Sequence, residues 1–575
     1  MNAMTHPVER AAEAASRSRE AKRSGLFGDP LLLGGFVVFI VLNVALAFRY
    51  NINWDEYYYL SQVYSAGEGR PLAPLQTIHV HLFGWLTALP LTEADQIVVG
   101  RLVMGLCQAA SVACLYRIAR EFAGRRDAAF AAFAYLASGY VLAHGISFRT
   151  DPLAGALMMA ALAVLFCAPL RWWAAAAAGM LAAMAFMVTM KVVFFAPAAA
   201  AAFLWRWHQA GRVRSALVHF ALAGAVAAAA GAALFLAHAE SLAVAAASGS
   251  SETGALVRPA ADSAGKALDK VILSQGLFPR AAAIVDWLLL SGFPLILVAL
   301  GASSALAMVR KGERLRGAAL LCLLLPLVTL VFYRNAFAYF FPFLFLPAAI
   351  LAAPGAARLT GTRSRRILLA AMVLVLVGQA AALWQRDQSV QRGVARAVHA
   401  IFPEPVPYID RNGMVPSFPK ANLLMSTWGI EAMLARGRPA LVPIIEQHQP
   451  PLLIENSRTL TAALEPTPSF TGLRLHPADE QALRDSYIRH WGPVWVAGKT
   501  LGQAAGTFDL AIAGTYTLEC AGARSIDGGA LPCGSTVALA QGMHEWTGGR
   551  AVLRWGEHLP RPSGTLPWKP IYYGL

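Results

Sequence analysis

The chain has 575 residues, 57% of them hydrophobic and only 14% charged, with a mean hydropathy of +0.50. That balance excludes an ordinary soluble protein and predicts a polytopic membrane protein with repeated long apolar runs. A net charge of +15 and a pI near 9.8 could direct a chain to nucleic acid. No basic–aromatic stripe or zinc spacing supports that, and arginines in short loops instead set topology and face anionic lipid.

Residues 1–30 form a polar cytoplasmic tail carrying Arg10, Arg17, Arg19, Lys22 and Arg23. The apolar run that follows is too long for the core of a cleavable signal, so it reads as a signal anchor with its N-terminus inside. Residues 31–387 read as the transmembrane part. Apolar segments fall near 31–49, 97–116, 128–143, 152–168, 172–189, 191–205, 215–237, 284–308, 317–333, 336–353 and 366–384, about eleven spans, with Lys191 splitting one long run. The loop charges fit that count. Arg117, Arg120, Arg125 and Arg126 share one inside loop, and Arg171 marks another. Arg206, Arg212 and Arg214, then Arg310, Lys311, Arg314 and Arg316, then Arg358, Arg363, Arg365 and Arg366 mark the rest. The short outside turns carry one basic residue each, Arg149, Lys191 and Arg334. The positive-inside rule therefore predicts N-in, C-out.

Two outside loops are long, 50–96 and 238–283. The first opens with NINWDEYYYL (51–60), where Asp55 and Glu56 stand among Trp54, Tyr57, Tyr58 and Tyr59 at a membrane–water boundary. Its pieces 55–67 and 78–89 suit short helices lying on the membrane, the second amphipathic with Trp85. The second loop contains SGSSETG and the charges Arg258, Lys266, Lys270 and Arg280. It suits either a basic flap over an anionic headgroup or a plain solvated loop.

From residue 388 the composition turns polar and rich in Pro and Gly, predicting a soluble periplasmic part over 388–575. Residues 388–500 read as α/β, with an apolar run at 422–426, a helix near 429–436 and LLIEN at 452–456. Residues 501–575 read as β-rich and sandwich-like, since FDLAIAGTYTLEC, STVALAQGMHEW and RAVLRWG alternate around turns such as IDGGALPCG. The fold class expected is thus a polytopic α-helical membrane protein with a C-terminal soluble α/β plus β-sandwich-like domain. Cys107, Cys114, Cys167 and Cys322 fall in apolar segments and read as small core residues. Cys520 and Cys533 are disulfide candidates if the C-terminal part lies outside the cytoplasm.

The outer ends of the spans gather chemistry. Asp55 and Glu56 follow the first span, Arg149 and Asp151 open the fourth, and Lys191 and Arg334 occupy further outer turns. A carboxylate there can deprotonate an acceptor hydroxyl, and cations can hold a phosphate leaving group. Other roles stay open: Asp151 suits the cap of a helix beginning at Pro152, Lys191 suits snorkelling, and Arg334 suits a lone anchor. His79 and His81 would share a face on a strand but not on a helix, and a zinc site would need a third ligand. With Tyr58 they are candidates for contacting the acceptor. No P-loop, dinucleotide fingerprint, GxSxG or HExxH is present, and nothing in the sequence supports a cofactor or divalent metal.

WDEYYYL after the first span, RTDPLAGALMM opening the fourth, the long first outer loop and the outer C-terminal domain together resemble the GT-C type membrane glycosyltransferases of the protein mannosyltransferase and aminoarabinose-transferase group. The resemblance implies a sugar donor linked to polyprenyl phosphate, with basic residues such as Arg149, Lys191 and Arg334 on the phosphate. It implies Asp55 as base, Glu56 beside it and Asp151 as the second acid. The implied acceptor is a lipid or cell-envelope glycan and the implied site is the periplasmic side of a bacterial inner membrane, among membrane lipids. One departure is TIHVHLFGWL at 77–86, which lacks the group's Pro-Pro-Leu element. A flippase for lipid-linked sugars and a non-catalytic glycan-binding scaffold are the rival readings. The charges sit at span ends rather than deep within spans, which disfavours the flippase.

Overall fold

The computed structural model describes residues 29–70, 78–211, 213–247, 276–466, 469–502, 504–522, 524–567 and 569–573. The basic residues Arg10, Arg17, Arg19, Lys22, Arg23, Arg212, Arg258, Lys266 and Lys270 lie outside them. In chain order the main helices are α1 (Pro30–Arg49), α2 (Trp54–Gly67), α3 (Glu93–Ala119), α4 (Arg125–Leu136), α5 (Thr150–Cys167), α6 (Trp172–Val188), α7 (Ala196–Ala210) and α8 (Val213–Ala247). Then come α9 (Ala281–Leu290), α10 (Gly292–Arg310), α11 (Arg314–Cys322), α12 (Phe340–Ala349), α13 (Thr362–Trp384), α14 (Ser389–Ile401) and α15 (Thr427–Leu434).

Every apolar stretch read from the sequence falls on a helix or a broken pair of helices. Six helices among the described residues are long and apolar enough to cross a membrane, namely α1, α3, α5, Val213–His238 of α8, α10 and α13. A seventh span arises if α11 is joined to Leu325–Phe332 across a 40° bend, where Pro326 removes a backbone donor. The other apolar helices are shorter than 18 residues, so length and composition do not establish the count of eleven. The long run at 172–205 divides cleanly. α6 ends at Val188 with Thr189 as its cap, a 3₁₀ turn spans Met190–Phe195, and α7 follows with Pro197 in its first turn.

The helices pack as a membrane bundle does. Every residue of α12, FFPFLFLPAA, is buried, as expected of a helix apolar on all sides at the centre of a bundle. Leu106, Leu289 and Leu374 on outer helices are 73%, 76% and 73% exposed, which in a membrane is lipid contact. Ion pairs collect at one end of α1, where Arg126 meets Asp29 at 2.5 Å and Arg365 meets Asp127 at 2.8 Å. Its other end leads into Asp55 about 30 Å away, at 1.5 Å rise per residue.

Among its described residues the C-terminal part holds two sheets. The larger has seven strands, ordered β1 (Tyr408–Ile409), β2 (Leu452–Ile454), β4 (Val494–Leu501), β11 (Ala551–Trp555), β6 (Gly514–Cys520) and β9 (Thr536–Leu539), with β3 (Tyr487–Trp491) also on β4. The smaller is β5 (Gly506–Leu510), β10 (Gly542–Thr547), β7 (Arg524–Ile526) and β8 (Gly529–Leu531). Phe508, Ile526 and Trp546 of the smaller sheet share one core with Tyr516, Leu518 and Leu553 of the larger, so the two pack face to face. The larger sheet is continuous across residue 500, because β4 pairs with β2 at Leu453↔Trp495 and with β11 at Gly498↔Arg554. The turn read at IDGGALPCG is a β7–β8 hairpin in which Asp527 and Gly528 both take positive φ, the arrangement an Asp-Gly pair favours. Cys520 and Cys533 are disulfide-linked, with Cα atoms 5.2 Å apart. No strand forms at 422–426, and the helix expected at 429–436 begins two residues earlier, where Ser426 accepts from Gly429 N.

Candidate active site

α2 begins at Trp54 because Asn53 caps it. Asn53 Oδ1 accepts from Asp55 N at 3.0 Å, and Asn53 N donates to Glu56 Oε2 at 2.8 Å, a reciprocal capping box. Successive helical residues differ by about 100° in direction, so the adjacent acids point different ways and meet different partners.

Asp55 faces the start of α5. Arg149 Nη1 donates to Asp55 Oδ2, and Arg149 Nε donates to Asp151 Oδ2 at 3.4 Å. Lys191 Nζ donates to Asp151 Oδ1 at 2.6 Å. The Arg149 guanidinium lies 3.5 Å over the Tyr339 ring, and Lys191 Nζ lies 5.1 Å from the same ring, within cation–π range. Tyr59 reaches the same helix end, its hydroxyl 3.4 Å from Thr150 Oγ1. Asp55, Arg149 and Asp151 are 8%, 5% and 4% exposed. Burying such charges is costly unless they pair and hydrogen-bond, which concentrates attention on their joint use. α5 starts at Thr150 with Arg149 in the cap position and no side-chain cap. Asp151 is therefore inside the first turn, not the cap of a helix beginning at Pro152, and its carboxylate is given to Arg149 and Lys191.

Glu56 does not join this group. It meets Arg101 in a bidentate pair, Nε to Oε1 at 2.8 Å and Nη2 to Oε2 at 2.7 Å. Its Oε1 also accepts from Phe148 N at 2.8 Å. Arg101 spends its remaining donors on Ala47 O, Tyr50 O and Asn51 O at 3.2, 2.8 and 3.0 Å. Glu56 is thus the joint between the end of α1, α3 and the residue before Arg149. Gly100 completes it, since a Cβ there would lie 2.5 Å from Phe148 Cδ2. Sequence reasoning passed over Arg101, although an arginine four residues into an apolar span is itself a signal of a buried partner.

The three acids therefore differ in what they leave open. Both oxygens of Glu56 and both of Asp151 are taken, whereas Asp55 Oδ1 carries no hydrogen bond among the described residues.

Residues 79–235 match the family model described as dolichyl-phosphate-mannose-protein mannosyltransferase. Over that segment, about a quarter of the chain, the protein is similar to a family of membrane glycosyltransferases. The matched segment contains Arg149, Asp151 and Lys191 and begins after Asp55. An apo crystal structure of the Archaeoglobus fulgidus oligosaccharyltransferase superposes with a TM-score of 0.48 at 13% identity, over 73% of this chain and 69% of that one. No curated protein matches the chain.

The remaining candidates lie around the four-charge group. Arg334 pairs with Glu431 of α15 rather than with Asp55 or Asp151, at 3.0 and 2.9 Å, and lies 3.9 Å over the Trp428 ring. Tyr58 is half-buried, edge-on to Tyr59 at 5.7 Å. His79 is buried with Nε2 3.4 Å from Tyr59 O, while His81 is exposed and meets His238 Nδ1 at 3.3 Å. The HxH pair thus points two ways, as a helical turn requires. Among the described residues no group of three or more His, Cys, Asp or Glu is arranged to hold a metal ion.

The C-terminal part builds the outer wall of the site. Gln391 brackets Ile52, accepting from its N at 2.9 Å and donating to its O at 2.6 Å. Asn412 Nδ2 donates to Trp54 O at 2.9 Å, and Arg411 lies 4.6 Å over the Trp54 ring. Asp410 shapes that turn by accepting from Gly413 N and Met414 N, both at 2.7 Å. The segment leading into Asp55 is therefore fixed from residues more than 300 positions away, which no local pattern announces.

Proposed function

We propose that the chain transfers a sugar from a polyprenyl-phosphate carrier to a hydroxyl of a lipid or cell-envelope glycan, on the periplasmic side of a bacterial inner membrane. The observation that carries this reading is Asp55 Oδ1, which carries no hydrogen bond among the described residues, beside a cluster of cations at a span end. Asp55 takes the acceptor proton as the acceptor oxygen attacks the anomeric carbon. The bond from that carbon to the phosphate oxygen breaks, and the polyprenyl phosphate departs with the electron pair. Arg149 and Lys191, with Arg334 nearby, stabilise the charge that develops on it. Asp151 takes two cations at once and so holds Arg149 and Lys191 in place. Arg149 restrains Asp55 Oδ2 and leaves Oδ1 to the acceptor.

Purified protein in lipid is expected to move radiolabelled sugar from a polyprenyl-phosphate donor, and not from a nucleotide sugar, onto an envelope lipid or glycan extract. Movement of intact lipid-linked sugar across liposomes without transfer contradicts the reading.

A further inference from the structure

The turn 333–339 carries three aromatic rings, Tyr333, Phe337 and Tyr339, and the guanidinium of Arg334, and it touches a second cation. Arg280 lies 4.2 Å over the Phe337 ring, and Phe278 N donates to Val331 O at 2.7 Å, tying the two segments together. Phe337 stacks on Tyr339 at 5.9 Å, and Tyr339 lies under Arg149. A ladder of rings therefore runs from Arg149 to Arg280. The charges along it do not balance. Asp55 and Asp151 answer Arg149 and Lys191, and Glu431 answers Arg334, but Arg280 has no carboxylate partner among the described residues. Arg334 is 8% exposed, yet among the described residues its Nε–H has no acceptor, and the buried Nε–H of Arg280 has none either. A buried donor without an acceptor costs free energy, so both guanidiniums are set for an oxygen-rich anion larger than one carboxylate.

The anion now there comes from the C-terminal part. Glu431 of α15 is bidentate on Arg334, and Trp428, one turn earlier, stacks on the same guanidinium and donates Nε1–H to Asn335 Oδ1 at 3.2 Å. The Glu431 side chain is 41% exposed, so it can leave without unpacking a core. Apolar side chains flank the spot, with Leu423 51%, Leu434 38%, Leu277 65% and Phe278 52% exposed. Exposed leucines and phenylalanine beside basic residues at a span end suit the headgroup level of a membrane.

We propose that Arg280 and Arg334 form a seat for a lipid-linked phosphate, and that Glu431 is its resident occupant, displaced when the phosphate arrives. The inference rests on the donor reading above and adds a residue, Arg280, and a device, a carboxylate on α15 that imitates the ligand. Phosphate offers more oxygens than a carboxylate and more charge, so it can satisfy both Nε–H groups where Glu431 satisfies neither. Donor loading thereby releases α15 and couples the C-terminal part to the state of the membrane site.

The test is binding of a polyprenyl phosphate to the full chain in nanodiscs of phosphatidylcholine, with inorganic phosphate and phosphatidylglycerol as separate arms. Glu431→Gln removes the competing charge and is expected to tighten polyprenyl phosphate about fivefold to tenfold, whereas Arg280→Ala weakens it about tenfold or more. Equal thermal unfolding of both variants and wild type shows that the fold is kept. Wild-type binding with neither variant shifting it overturns this inference and leaves the donor reading standing. No wild-type binding in any arm overturns both. Equal tightening for inorganic phosphate or phosphatidylglycerol overturns the assignment to the polyprenyl-linked ligand.

Discussion

Glu56 and Arg101, 45 residues apart in sequence, form a bidentate pair in which the side chains are 0% and 4% exposed. The pair joins the end of α1, the first turns of α3 and the approach to Arg149. Removing one partner of such a pair leaves an uncompensated buried charge, at a cost of about 3–5 kcal/mol. Arg101→Met is therefore expected to lower thermal stability by about that amount. The double variant Arg101→Met, Glu56→Met should not recover it, because Phe148 N and Asn53 N then lose their acceptor, at about 1–3 kcal/mol each. Melting of both variants in detergent checks this, and full recovery in the double variant contradicts it.

Asn412 tests the wall supplied by the C-terminal part. It is buried, donates to Trp54 O, and is itself held by Asn456 Nδ2 at 2.9 Å. Asn412→Ala is expected to lower turnover about tenfold while leaving the KM for the lipid donor within about twofold, since it shifts the first turn of α2 and not the cations. Loss of donor affinity with unchanged turnover contradicts it.

The membrane part was largely legible in the sequence, because apolar runs and arginine-rich loops report directly on burial in lipid. Asp55, Arg149, Asp151 and Lys191 could be read as a group because all four stand next to the ends of apolar runs. What could not be read is which charge answers which. Glu56 stood beside Asp55 as an equal, and only the turn of the helix and the reach of Arg101 separate them. Arg334 was grouped with Arg149 and Lys191, yet its carboxylate comes from Glu431, 97 residues on. The sheet that crosses residue 500 was hidden because its halves are joined by the long-range pair β4–β11.

His399 gives the docking of the C-terminal part a pH dependence. Its Nε2 bonds Glu93 Oε1 at 2.8 Å, where Ser417 Oγ also donates at 2.5 Å. That hydrogen bond, outweighing burial and aided by the charge of Glu93, raises the His399 pKa above the ordinary imidazole value. A raised folded-state pKa contributes stability that is complete below the unfolded value of about 6.5 and is lost as pH rises through the folded value. Wild type is expected to lose more melting temperature than His399→Gln between about pH 6 and pH 8.5. Parallel curves contradict the assignment.

The Cys520–Cys533 bridge closes a short loop, at a sequence separation of 13. Loop closure of that length is worth about 3 kcal/mol. The paired Cys520→Ser, Cys533→Ser variant should lose up to about that much stability in the β-rich region, while Cys107, Cys114, Cys167 and Cys322 remain free thiols. In intact cells the wild-type pair is expected to resist alkylation until reduced, as a bridge in an oxidising compartment does.

The central claim is that Asp55 takes the acceptor proton, and turnover of Asp55→Asn measures it most directly. The amide keeps the size of the side chain and loses the base. Sugar transfer from a polyprenyl-phosphate donor is expected to fall about 10²- to 10⁴-fold in kcat, with the protein still folded and still binding polyprenyl phosphate. Equal transfer by wild type and Asp55→Asn would contradict the account.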